Sequence, residues 1–89
     1  MTDFEELRQL AAFQQSGTLS AAADELRITQ PTMTRSMRRL ERELDVQLFD
    51  RSAKNRIALT PTGELAADEA KKLVESYENF LEKYGMLRI

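Results

Sequence analysis

The segment 60–84 limits the possible folds more than any other. Thr60-Pro61 opens it as a helix cap followed by proline at the first helical position, and Glu64 follows in the first turn. After Gly63 nothing breaks it until Gly85. A helix from Pro61 to Tyr84 is roughly 36 Å long at about 1.5 Å per residue. In a chain of 89 residues the remainder is too small to cover such a rod along its whole length. Ala66, Ala70, Leu73, Tyr77, Phe80, Tyr84 and Leu87 recur in steps of four and three, a heptad seam that Val74 and Leu81 widen. Aromatic groups on such a seam are costly in water. The pattern predicts that a second copy covers it across a two-fold axis, or that it folds back on the first helix against Phe4 and Phe13.

Three shorter helices are predicted upstream. Thr2-x-x-Glu5 and Asp3-x-x-Glu6 both fit a capping box, Phe4, Leu7, Leu10 and Ala11 make an apolar stripe, and Gly17 suits a left-handed stop. Ser20 is the expected N-cap of a second helix, with Ala22, Ala23 and Leu26 on its apolar side. The third runs over about 29–44, with Thr29 as cap and Pro31 in its first turn. Met33, Met37, Leu40 and Leu44 form its expected buried stripe, with Arg35, Arg38 and Arg42 about opposite and Thr34 on a flank. The period then changes. QLFDR and RIALT read as two short strands around the polar turn SAKN.

Charge is distributed unevenly. The chain carries a net −2, yet residues 27–56 hold eight bases and four acids and are net positive. Only this middle third can attract a polyanion. There is no cysteine and no histidine, which excludes disulfides, thiolate metal sites, imidazole catalysis and the common zinc sites. Asp50 and Glu64 are carboxylates without a glycine-rich phosphate loop or metal spacing beside them, so no catalytic residue, metal or cofactor is expected. The acidic, amphipathic N-terminus is unlike a secretory signal, and no apolar run approaches the ~18 residues of a membrane span. The expectation is a cytoplasmic protein with no membrane partner.

The element order is helix, short helix, tight turn, helix, hairpin, long helix. Two helices joined across Leu26-Arg27-Ile28-Thr29 suggest a helix-turn-helix, with the hairpin as a wing. A helix whose front enters the DNA major groove needs small side chains there, so that the backbone can approach base edges. Thr32 and Thr34 offer a methyl for thymine and a hydroxyl for base or phosphate. Gln30 suits adenine, and Arg35 suits the O6 and N7 of guanine. Arg38, Arg39 and Arg42 are phosphate neighbours or surface ion pairs with Glu41 and Glu43. A polar helix face bearing arginines is also consistent with simple solvation, so the order of elements carries more weight than the charges.

Ala22-Ala23-x-x-Leu26, Thr29-Gln30-Pro31-x-x-Thr34-Arg35, Leu40-Glu41-x-x-Leu44-x-Val46-x-Leu48-Phe49-x-Arg51 and Leu59-Thr60-Pro61-x-Gly63 follow one another. Together they resemble the N-terminal DNA-binding domain of LysR-type transcriptional regulators, over about residues 4–88. The resemblance implies a mainly α winged helix-turn-helix over 1–60 and a linker, dimerising helix over 61–89. It implies double-stranded DNA as partner, read by a homodimer on an inverted repeat, with any small-molecule effector acting through a C-terminal domain absent here. By position, Gln30, Pro31, Thr32, Thr34 and Arg35 match the part of the recognition helix used on bases and nearby phosphates. Ser20 matches a cap that meets a phosphate, and Lys54 and Arg56 match the wing, about 51–57, at the minor groove. Arg51 is either a phosphate contact or a buried structural arginine. The dimer seam comprises Ala66, Ala70, Leu73, Tyr77, Phe80, Leu81 and Tyr84. Asp45 stands where the family usually ends the recognition helix with glycine. A stand-alone winged-helix repressor and a coiled-coil adaptor for another protein remain the alternatives.

Overall fold

The computed structural model describes residues 2–85; the seam position Leu87 lies outside them. Four helices and one hairpin follow in order: α1 (Phe4–Ser16), α2 (Leu19–Leu26), α3 (Gln30–Leu44), β1 (Phe49–Asp50), β2 (Ala58–Leu59) and α4 (Pro61–Lys83). This is a mainly α winged helix-turn-helix with a long fourth helix.

Each helix opens on a side chain that accepts from its own first turn, which relieves one of the unpaired amides there. Asp3 accepts from the Glu6 N–H at 3.0 Å while Glu6 accepts from the Asp3 N–H at 3.2 Å, a complete capping box. Thr29 accepts from Thr32 N–H at 3.2 Å and Thr60 from Gly63 N–H at 2.9 Å. The second helix departs from expectation. Its cap is Thr18, whose hydroxyl accepts from Ala21 N–H at 3.1 Å, and Ser20 is an exposed residue of the first turn. Thr18 holds the extended backbone a cap requires, at φ −137°.

The helix ends use the left-handed region. Gly17 closes α1 at φ 85°, and Asp45 takes φ 57° after α3. Arg27 does the same at φ 60° between α2 and α3, making the tight turn of the helix-turn-helix.

The core gathers Leu10 and Phe13 of α1, Ala22 and Ala23 of α2, Met33, Met37 and Leu40 of α3, Leu48 and Phe49, and Ala67 and Ala70 of α4. Phe13, off the α1 stripe, is nevertheless central, edge-on to Phe49 with ring centroids 5.2 Å apart. The α3 stripe stops one turn early. Leu44 is 44% exposed, because the chain turns away at Asp45 before anything packs over it. The strands are also shorter than expected, two residues each in antiparallel register Phe49↔Leu59 and Asp50↔Ala58. Leu48 and Phe49 are both buried in succession, so strict alternation fails where the hairpin leaves the core.

The first half of α4 belongs to the packed body. Gly63, Ala67 and Ala70 are its buried face. A Cβ on Gly63 would overlap the Leu48 carbonyl oxygen, so α4 starts where only glycine fits. Gln14 of α1 donates to Glu64 at 3.0 Å and to Asp68 at 2.9 Å, fastening the same two helices from the outside. Two seam assignments are therefore corrected. Ala70 is 1% exposed inside the chain's own core, and Ala66 is half-buried against that core. The fold-back alternative is realised at one point, where Tyr77 meets Phe4 with ring centroids 4.3 Å apart. Beyond it the helix projects, and the molecule measures 46 Å along its longest axis against 25 and 21 Å across. Among the described residues no helix is long and apolar enough to cross a membrane.

Candidate nucleic-acid interface

The front of α3, the start of α2 and the wing enclose one cleft of about 720 Å³. Its floor is apolar, from Leu19, Met37, Phe49 and Ile57. Its rim is polar and brings together six of the residues expected to meet DNA: Ser20, Gln30, Thr34, Arg38, Arg51 and Arg56. Residues up to 36 positions apart in the chain thus share one surface, because the tight turn at Arg27 sets α3 across α2 and the hairpin returns beside both. Pro31, Thr32 and Arg35 lie outside the cleft on the front turns of α3, and Lys54 sits in the wing's turn.

The hydroxyls at this front are already organised. Thr29 Oγ1 donates to Thr32 Oγ1 at 2.9 Å, and Arg35 Nη2 reaches the same Thr32 oxygen at 3.5 Å. Thr32 therefore orients its neighbours as well as offering a methyl. Pro31, fixed in φ, keeps the first turn in place without an amide to satisfy. Arg35, Arg38, Arg42, Lys54 and Arg56 make no ion pair among the described residues. Their charges face solvent unneutralised, the arrangement an anionic ligand needs.

Two arginines are engaged internally. Arg39 donates through Nε to Glu6 Oε2 at 2.7 Å, and Glu6 itself is only 1% exposed. That hydrogen bond, with the Glu6 charge, raises the Arg39 pKa further. Arg39 thus links α3 to the capping box of α1, across 33 positions of sequence. Arg51 pairs with Glu41 at 3.1 Å and lies over the Phe49 ring at 5.5 Å. Of the two readings left open for Arg51, the geometry favours the structural one. The expected surface pairing of Glu41 with its helix neighbours is not what forms: Glu41 turns to the hairpin instead.

Glu41 is the group that sequence reasoning missed. Its Oε2 accepts from the N–H groups of Leu48 and Phe49 at 2.9 and 3.0 Å, while Oε1 takes the Arg51 guanidinium. Burial opposes its ionisation, but the hydrogen bonds from Arg51, Leu48 and Phe49 prevail and hold the carboxyl below its ordinary range. The spacing Glu41…Leu48-Phe49-x-Arg51 was the available signal. At the wing's edge Asp50 accepts from the hydroxyl and N–H of Ser52 at 2.6 and 2.9 Å, which lowers its pKa too. Asn55 completes the turn at φ 63°. Among the described residues no cluster of carboxylates is arranged to hold a metal ion.

Residues 4–64 match the family model described as "Bacterial regulatory helix-turn-helix protein, lysR family". The chain is 40% identical over 73 residues to the HTH-type transcriptional regulator TfdS of Cupriavidus pinatubonensis, covering 82% of this chain and 24% of that protein. It thus spans about a quarter of the length of the curated relatives it matches. Among solved structures, a full-length OxyR from Pseudomonas aeruginosa superposes with a TM-score of 0.89 at 29% identity, over 100% of this chain and 30% of that one. The DNA-binding domain of BenM, solved with catB site 1 DNA, superposes with a TM-score of 0.86 at 28% identity, over 97% of this chain and 96% of that one.

Proposed function

Because the chain belongs to the lysR family of bacterial regulatory helix-turn-helix proteins and carries that family's DNA-binding domain, we propose that it reads specific double-stranded DNA as a homodimer. The front of α3 enters the major groove. Gln30, Thr34 and Arg35 address base edges, and Thr32 presents its methyl to thymine. Ser20, Arg38 and Arg56 meet phosphates around the cleft, and Lys54 reaches the adjacent minor groove with the wing. The work takes place on cytoplasmic DNA.

One observation carries this reading. Unpaired cations and small hydroxyl side chains from three elements converge on one face. The BenM domain superposes on nearly the whole chain and was solved on DNA, which supports the same use of this face. The projecting half of α4 supports the dimer. Leu73, Phe80 and Tyr84 are each more than half exposed, a row of apolar groups that a second copy would cover.

Selection of duplexes from a random pool by this chain tests the proposal. The expected result is an enriched inverted repeat, bound with affinity that falls steeply as salt rises. Failure to bind any duplex in a salt-dependent way would defeat it and favour the coiled-coil adaptor.

A further inference from the structure

The wing is held at two levels. Its root is tied to the body by the Thr60 N–H on the Leu48 carbonyl at 2.9 Å and by the Thr60 hydroxyl on the Gln47 carbonyl at 2.8 Å. Its outer part, residues 51–57, has among the described residues one side-chain hydrogen-bonding link to another helix, Arg51 to Glu41 of α3. The two oxygens of Glu41 divide the task. Oε2 fixes the backbone where the chain enters β1, and Oε1 takes the shorter of the two Arg51 guanidinium bonds, 3.1 Å against 3.5 Å at Oε2, where the chain leaves. Both side chains are largely covered, at 13% and 29% exposure.

We infer that Glu41 and Arg51 are a positioning pair that sets where Lys54 and Arg56 stand relative to the front of α3. Arg51 then acts on DNA through the pose of the wing, without ligating a phosphate. The reason is geometric. The recognition helix and the wing must meet neighbouring grooves of one rigid duplex at once, so an error in their spacing forfeits one set of contacts. Glu41 lies on the recognition helix itself, two turns behind Thr34, and so transmits that helix's position directly to the strand. This inference rests on the DNA-binding reading.

The test uses the 89-residue chain with a duplex it has selected from a random pool, and a scrambled duplex as control. Wild-type binding is measured first; its absence would overturn the DNA-binding reading itself, before any variant is made. Glu41→Gln keeps a carbonyl for the two strand amides but turns an NH₂ toward Arg51. Glu41→Gln and Arg51→Ala are each expected to weaken the selected duplex about tenfold. The double variant is expected to be no weaker than either, because both break one link. Arg51→Lys, whose ammonium can still pair with Glu41, is expected to retain most of the affinity. Lys54→Ala, which lowers the salt slope of the wild type, is expected to leave it unchanged in the Glu41→Gln background. An Arg51→Ala variant with a reduced salt slope beside a Glu41→Gln variant of full affinity would make Arg51 a phosphate ligand and overturn the inference. Should circular dichroism show Glu41→Gln unfolded, the Arg51→Ala, Lys54→Ala pair decides. A combined loss no greater than that of Arg51→Ala alone supports positioning, and additive losses overturn it.

Discussion

Single atoms decide several features of this domain. A methyl group at Gly63 would collide with the Leu48 carbonyl, which is backbone and already accepts from Thr60. Gly63→Ala should therefore destabilise the chain by about 1–3 kcal/mol, seen as a lower urea midpoint. Glu41 gives a pH dependence with a definite sign. Its folded carboxyl titrates below the ordinary 4.5, so the stabilisation is complete above that value and is lost as pH falls through the folded one. Thermal melts should show a steeper acid loss for the wild type than for Glu41→Gln; parallel losses would assign the effect elsewhere. Arg35 is exposed on the front of α3 without an ion pair among the described residues, and it is the residue we propose to read guanine. Arg35→Ala should cost about 1–3 kcal/mol of discrimination between selected and scrambled duplexes. An equal loss on both would assign it to phosphate.

Among elements, α3 and the wing are held differently and, on the proposed reading, should fail differently. The helix is braced on three sides: by its Thr29 cap, by Arg39 on Glu6 of α1, and by Met33, Met37 and Leu40 in the core. It can therefore hold base-reading groups in fixed places. The wing pairs only two residues on each strand, and its turn is exposed. It suits contacts to a uniform backbone better than contacts to particular bases. Lys54→Ala should accordingly weaken all duplexes alike and reduce the salt slope by roughly one unit. A sequence-dependent loss would contradict that division.

For the whole molecule, the deciding feature is that α4 has two unlike halves, one packed on the body and one projecting. Its small residues Gly63, Ala67 and Ala70 let α1 and the hairpin approach closely, and its large residues Leu73, Phe80 and Tyr84 are left outside. Phe80 and Tyr84 pack on each other with ring centroids 5.0 Å apart, one apolar patch on the projecting end. Phe80→Asp should give a monomer by light scattering that keeps its helical circular dichroism. Binding to an inverted repeat should then fall on the order of 10²-fold, because the two half-sites are no longer linked. A variant that stays dimeric would remove Phe80 from the seam. Tyr77 is a poorer probe, since its ring already rests on Phe4 of the same chain.

What the sequence determined by itself is local. Caps at Asp3, Thr29 and Thr60, the left-handed stop at Gly17, the proline starts of α3 and α4, and the order of elements are all set within a few residues of one another. Hydrogen bonds over three positions and the 3.6-residue period act before any tertiary contact forms, so they can be read from the chain. Within that reach, only competition between neighbours misled. Thr18 and Ser20 are both good caps, and the extended backbone after Gly17 selected Thr18. The tertiary structure alone decided which face of each element lies inside and which charges are spent. Nothing local tells that Phe13 enters the core, that Leu44 does not, or that Ala70 faces its own chain while Leu73 faces out. Nor does spacing tell that Arg39 answers Glu6 and Arg51 answers Glu41, which leaves Arg35, Arg38, Arg42, Lys54 and Arg56 without an ion pair among the described residues. Burial and pairing depend on where a second element stops, and α4, longer than the body it packs on, is covered only as far as α1 extends along it.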